Sequence, residues 1–153
     1  MLDPTKRFSD RVEKYQKHRP GYPPELYDYL RAEAGLRSTD QVADLGSGTG
    51  LSSKLFLERG HRTFAIEPNA EMRSAAEALF HDQPNFVSLD GRAEDIPLAN
   101  ASVDFVTAGQ AFHWFEPRAT RREMNRVLRP GGQVALIWNS RESKASQFQS
   151  AYE

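Results

Sequence analysis

The chain has 153 residues and no cysteine, which removes disulfides, thiolate metal sites and a cysteine nucleophile from consideration. It has almost no net charge: 20 lysines and arginines stand against 21 aspartates and glutamates, a formal balance of -1, so no bulk field favours nucleic acid or an acidic membrane. No apolar run approaches the roughly 18 residues that a membrane-spanning helix needs. The segment from Met1 to Arg19 is charged throughout and lacks a hydrophobic signal region, so a cytoplasmic location is expected. His18, His61, His81 and His113 are scattered without paired ligand spacing, which points to no metal site. A Gly-Lys-Ser/Thr triplet is also missing, and with it the phosphate-cradling P-loop. With 39% hydrophobic and 27% charged residues, the chain fits one globular domain of ordinary size.

What is present is concentrated in Val42-Ala43-Asp44-Leu45-Gly46-Ser47-Gly48-Thr49-Gly50. A short apolar stretch runs through an acidic residue into three glycines, and helical periodicity follows. Glycine tolerates left-handed dihedrals and has no Cβ to hold a ligand off, so such a turn closes tightly and brings backbone against a guest of nucleoside size. The spacing narrows the choice of guest. A dinucleotide fingerprint wants Gly-x-Gly-x-x-Gly, but Leu51 stands where the third glycine belongs. Asp44 repels a pyrophosphate, whereas it suits the ammonium of an amino-acid-bearing cofactor. These features point to S-adenosyl-L-methionine.

Around this turn the pattern alternates strand and helix. Short apolar strands are expected over 41–45, 63–66, 85–89, 103–107 and 133–138, with helical periodicity between them, which implies a parallel sheet covered on both faces. One helix is expected to start at Pro68-Asn69, and another to begin near Pro117 and stop at Arg129-Pro130-Gly131-Gly132. Ahead of the first strand, helices over 9–17 and 24–34 are expected to form a cap over the carboxyl edge of the sheet. The organisation read from the chain is a helical cap over 1–36, a cofactor-binding core over 37–141 and a helical segment over 142–153.

The chain resembles the class I S-adenosylmethionine-dependent methyltransferases, whose first motif reads acidic-x-Gly-x-Gly-x-Gly. Asp90-Gly91-Arg92-Ala93-Glu94-Asp95-Ile96-Pro97-Leu98 and Ala108-Gly109-Gln110-Ala111-Phe112-His113-Trp114-Phe115 are similar to later motifs of the small-molecule branch that includes ubiquinone-biosynthesis-type and trans-aconitate-type enzymes. The likeness runs from about Phe8 to about Arg141. It implies a three-layer α/β sandwich around a parallel, Rossmann-like sheet of order 3-2-1-4-5. Members of that family generally continue through a sixth and a seventh strand, which this chain is expected to lack.

Candidate site residues follow from both lines of reasoning. Glu67 stands roughly 20 residues beyond the glycine turn, where an acidic side chain meets ribose hydroxyls in folds of this architecture, and Pro68 follows it. Asp44 either orders the turn or contacts the amino-acid end of the cofactor, and Gly46, Ser47, Gly48 and Gly50 line the guest. In the third-strand loop the resemblance often has Asp where this chain has Arg92. Ala93 can still offer its amide to an adenine ring nitrogen. Glu94 either takes over the exocyclic amine or forms, with Asp95, the first turn of a short helix. Gln110 is placed by the same reasoning near the cofactor's carboxylate or sulfonium, and His113 near the methyl acceptor as a general base. Tyr15 and Arg19 come from the cap, with Arg19 matched to the methionine carboxylate. Arg118, Arg122, Arg126 and Arg129 fall at near-helical spacing and form either a basic stripe for RNA or a solvated face; nucleic acid is the less favoured partner.

The functional expectation is methyl transfer to a small-molecule acceptor. The alternative is a cofactor-binding or interaction module without efficient turnover. The chain is also expected either to self-associate through the fifth strand, because an apolar edge with unpaired backbone groups seeks a partner, or to represent a fragment.

Overall fold

A computed structural model describes residues 21–139. The element order is α1 (Glu25–Glu33), β1 (Val42–Leu45), α2 (Leu51–Leu57), β2 (Thr63–Ile66), α3 (Ala70–Leu79), β3 (Phe86–Leu89), β4 (Val103–Gly109), a 3-10 turn (Phe112–Trp114), α4 (Pro117–Val127) and β5 (Leu128–Ile137). The strands form one parallel sheet in the order β3-β2-β1-β4-β5, the order expected from the resemblance. The chain steps outward from β1 to β3, then returns to lay β4 on the other side of β1. The carboxyl ends of β1 and β4 therefore flank the switch point where open sheets of this kind bind ligands.

Strand alternation sends side chains to two faces. Ala43, Leu45, Ile66, Val106 and Ala108 pack with Met124 and Val127 of α4 and with Ala93 and Ile96 of the loop after β3. On the opposite face Val42 and Phe105 pack with Tyr27 and Leu30 of α1 and with Leu55 and Phe56 of α2. The third helix of that face, α3, meets β3 through Phe80 against Phe86 and through Glu77, which accepts from the Ser88 hydroxyl. Helix starts follow local chemistry. The Asn69 side chain accepts from the Met72 amide to cap α3. Glu116 accepts from the Arg118 and Ala119 amides to cap α4, with Pro117 at its first position. Those two bonds hold the exposed Glu116 carboxyl below its ordinary range.

Three expectations need correction. The helix over 24–34 forms as α1, yet Tyr27 and Leu30 seat it against Val42 and Phe105, near the amino ends of their strands. A buried link reinforces this position: the Tyr27 hydroxyl lies 2.6 Å from His61 Nε2, and His61 Nδ1 lies 2.7 Å from the Asp40 carbonyl. So α1 covers a sheet face, and of the described residues before it Tyr22 lies close to Gly109 at the end of β4. Second, α4 runs from Pro117 to Val127 and stops ahead of the proline and glycines as expected, but β5 begins at Leu128 and not beyond them. Pairing passes from Val103↔Leu128 directly to Phe105↔Gln133, so Arg129–Gly132 are looped out of register. Pro130 has no N–H to give a ladder, and an outer strand tolerates that loss. Third, the Glu94-Asp95 segment forms a tight turn closed by an Arg92–Asp95 bridge instead of a short helix. The helices expected over 9–17 and 142–153 lie outside the described residues.

Phe56 has no solvent exposure and packs against His61 and Phe105, which makes it the keystone of the α1/α2 face. Phe56→Ala is expected to lower stability by about 3–5 kcal/mol, read from the midpoint of urea unfolding. A loss under about 1 kcal/mol would show that this face repacks freely.

Candidate functional site

The glycine turn is built by its own backbone. Gly46, Gly48 and Gly50 all have positive φ, at 63°, 57° and 97°, values that side-chain-bearing residues rarely adopt. A Cβ on Gly46 would lie 2.8 Å from the Ala111 Cβ and 3.0 Å from the Phe115 ring, and one on Gly50 would run into the Phe80 ring. The glycines thus answer two demands at once, backbone hand and close packing. At Gly48 the nearest atom to such a Cβ is Met72 Sδ, at 3.6 Å, so the strain there is conformational only.

The amides of this turn are committed inward. Gly46 and Ser47 donate to the Ile66 carbonyl at 2.9 and 3.2 Å, Gly50 donates to the Ser47 carbonyl at 3.0 Å, and Gly48 donates to Glu67 Oε1 at 3.1 Å. A pyrophosphate cradle needs these donors free. Glu67, 8% exposed, also accepts from the Asn69 amide through Oε2 at 3.0 Å. One carboxylate therefore joins the β1 turn to the start of α3. Each of its oxygens accepts one amide and keeps lone-pair capacity for a second donor. Burial pushes the Glu67 carboxyl above the ordinary glutamate range, against the opposing effects of the Asn69 and Gly48 amides and the Arg73 guanidinium.

Asp44 is fully buried beside α2, and its Oδ2 accepts from the Ser53 hydroxyl at 2.6 Å. Its neighbourhood is polar. Thr107 pairs with Asp44 across the ladder, and the buried Thr107 and Ser52 hydroxyls meet no hydrogen-bond partner among the described residues. A Cβ on Gly109 would sit 2.5 Å from the Tyr22 hydroxyl and 3.1 Å from the Ser52 Cβ. Gly109 thus leaves room for this small polar chamber at the ends of β1 and β4.

The remaining candidates lie around the same edge. Pro68 is at the corner between β2 and α3, where its carbonyl accepts from Arg73. Ala93 is buried, and the Glu94 Oε1 accepts from the Glu116 amide at 2.8 Å, tying the loop after β3 to α4. Gln110 holds a left-handed φ of 60° while its amide continues the ladder to the Ile137 carbonyl. It is one of two non-glycine residues with positive φ among those described, and such strain gathers at functional edges. His113 is exposed on the 3-10 turn, its ring 4.7 Å from that of Trp114. Phe112 lies between Phe115 and Trp138. Tyr15 and Arg19 lie outside the described residues. The expected basic stripe is partly spent: Arg126 serves Glu123, Asn100 and the Ile96 and Leu98 carbonyls, and Arg129 pairs with Asp104.

This arrangement coincides with a sequence match. The profile of a methyltransferase domain covers residues 43–136. The chain belongs to that methyltransferase family. The chain is 42% identical over 142 residues to an uncharacterized methyltransferase of Mycobacterium tuberculosis, covering 93% of this chain and 56% of the relative. It is 35% identical over 137 residues to one of Schizosaccharomyces pombe, covering 89% and 53%. The chain thus spans about half the length of the curated relatives it matches. A solved S-adenosylmethionine-dependent methyltransferase of Aquifex aeolicus superposes with a TM-score of 0.73 at 23% identity, over 94% of this chain and 84% of that one, and shares the fold. Family and fold imply S-adenosylmethionine as cofactor. Among the described residues no helix is long and apolar enough to cross a membrane.

Several site residues escaped the sequence reading. Ser53, Ser52 and Thr107 are polar residues in otherwise ordinary helix and strand stretches, and only the ladder and the packing of α2 bring them to Asp44. Asn69 carried a signal, since an Asn before a helical run reads as a cap, but its amide bond to Glu67 did not.

Because the Glu67 carboxyl is raised on folding, the folded domain takes up that proton more readily than the unfolded chain. Stability from this group therefore increases as pH falls through the raised value toward the ordinary glutamate range. Without ligand, the wild-type chain is expected to gain thermal stability relative to Glu67→Gln between about pH 7.5 and about pH 5, followed by scanning calorimetry. A difference that stays constant with pH would show that the carboxylate is well solvated.

Proposed function

We propose that this chain binds S-adenosyl-L-methionine and serves methyl transfer to a small-molecule acceptor. The observation that carries this reading is the pairing of an inward-committed glycine turn with two buried carboxylates, Glu67 and Asp44. Such a hollow disfavours the polyphosphate of a nicotinamide dinucleotide or ATP and favours a guest with a vicinal diol and positive charge. Glu67 accepts the ribose hydroxyls on the lone pairs its amide partners leave open. The polar chamber of Asp44, Ser52, Thr107 and Tyr22 receives the amino-acid end, with Gln110 beside it and Tyr15 and Arg19 completing the carboxylate contact. Gly46, Ser47, Gly48 and Gly50 shape the floor, with Pro68 at its corner. Ala93 and Glu94 bound the adenine.

When bound, the cofactor supplies a methyl group already activated on a sulfonium. The chain's own task is then mainly orientation of acceptor and methyl group. Where the acceptor must lose a proton, the exposed imidazole of His113 takes it. A cytoplasmic setting, membership of the small-molecule branch that includes ubiquinone-biosynthesis-type and trans-aconitate-type enzymes, and the cap, core and helical-segment organisation are parts of this reading.

Calorimetric titration with S-adenosylhomocysteine tests it. Glu67→Ala is expected to weaken binding by about 1.5–3 kcal/mol, the scale of hydrogen bonds to a charged group. Glu77→Ala, which removes an exposed carboxylate that accepts from the Ser88 hydroxyl, leaves affinity unchanged. Equal affinities for the two variants would end the ribose assignment. Tighter binding of NAD or ATP than of S-adenosylhomocysteine would end the cofactor assignment. Binding without methyl transfer to any small acceptor would favour the non-catalytic module.

A further inference from the structure

Arg73 lies on α3 one turn beyond the cap residue Asn69, whose carbonyl takes its amide. A single guanidinium nitrogen, Nη1, stands 2.9 Å from the Glu67 carbonyl, 2.9 Å from the Pro68 carbonyl and 3.1 Å from Asp90 Oδ1. The Arg73 side chain is 18% exposed and that of Asp90 71%. An ion pair with so exposed a partner contributes little by itself. The two carbonyls are different in kind. They belong to consecutive residues at the point where β2 ends, and the first is the backbone of the residue whose carboxylate faces the glycine turn. Asp90, in turn, directly follows β3 and opens the loop that carries Ala93 and Glu94. One cationic group therefore fastens the end of β2 to the end of β3.

We propose that Arg73 is a positioning residue for cofactor binding: it fixes the backbone from which Glu67 projects and holds the loop after β3 in register with it. It touches no cofactor atom and acts through Glu67. This rests on the reading of Glu67 as the ribose carboxylate. Nη1 carries two hydrogens for these three oxygens, so one N–H is shared, and the rigid planar head holds that nitrogen at the junction of the two strand ends. Its charge also favours the ionised form of Glu67, the form able to accept two hydroxyl protons.

Titration with S-adenosylhomocysteine separates this from a merely structural role. Arg73→Gln is expected to weaken binding about tenfold, the equivalent of one charge-assisted hydrogen bond, and Arg73→Lys recovers part of that loss. In a chain already carrying Glu67→Gln, adding Arg73→Gln costs less than about threefold further, because residues acting as a unit are not additive. Asp90→Ala keeps the two carbonyl bonds and removes the acceptor on the β3 side; it is expected to weaken binding about two- to threefold at an unchanged melting temperature, and so gives a readout should Arg73→Gln melt below the assay temperature. Wild-type affinity in both Arg73→Gln and Asp90→Ala, or full additivity of Arg73→Gln with Glu67→Gln, overturns the positioning role. If the wild-type chain itself does not bind S-adenosylhomocysteine, the cofactor reading falls first and this role with it.

Discussion

The Glu67 carboxylate is the contact on which the arrangement of this edge depends. It accepts the Gly48 amide from one loop and the Asn69 amide from another. A turn of three left-handed glycines is costly in chain entropy, and a buried carboxylate is costly in lost hydration. Each cost is met by the other's hydrogen-bonding groups. The result is a charged oxygen pair held still at the ends of two neighbouring strands, with the positive N-terminal end of α3 beside it.

The strand order puts this carboxylate beside the switch point of the sheet. Parallel strands deliver their carboxyl ends to one side, and the order reverses between β1 and β4, the place where open sheets of this kind bind ligands. The aliphatic clusters lie on the two faces of the sheet; the polar groups gather at its end. Stability and recognition are thereby drawn from different residues, so changes such as Glu67→Gln and Phe56→Ala are separable in effect.

Much of this was legible in the sequence. The strand over 63–66 and the start of α3 after Asn69 were read from local pattern alone, because apolar stretch, cap and helix formers agree there. The glycine turn and Glu67 were legible because their spacing encodes a conformation. Where the reading failed, local and tertiary preferences diverge. Arg129-Pro130-Gly131-Gly132 carries the marks of a chain break, yet β4 recruits Leu128 and Gln133 on either side of it. The helix at 24–34 has an amphipathic face, and a face does not say which surface it will cover; Tyr27 found His61. Arg73 carries no local signal, since its three acceptors come from residues that only the end of the sheet brings together.

The looped-out segment of β5 has a consequence for how the molecule can be handled. Pairing of β4 and β5 is continuous from Gln133 to Ile137, next to the carboxyl edge, and the slack sits at the opposite end, where Gly131 has open space around it. The outer strand is therefore anchored near the ligand edge and loose far from it. A fluorophore or affinity handle grafted between Pro130 and Gly132 would be carried on the far side of the sheet from Glu67, leaving the cofactor edge free for titration.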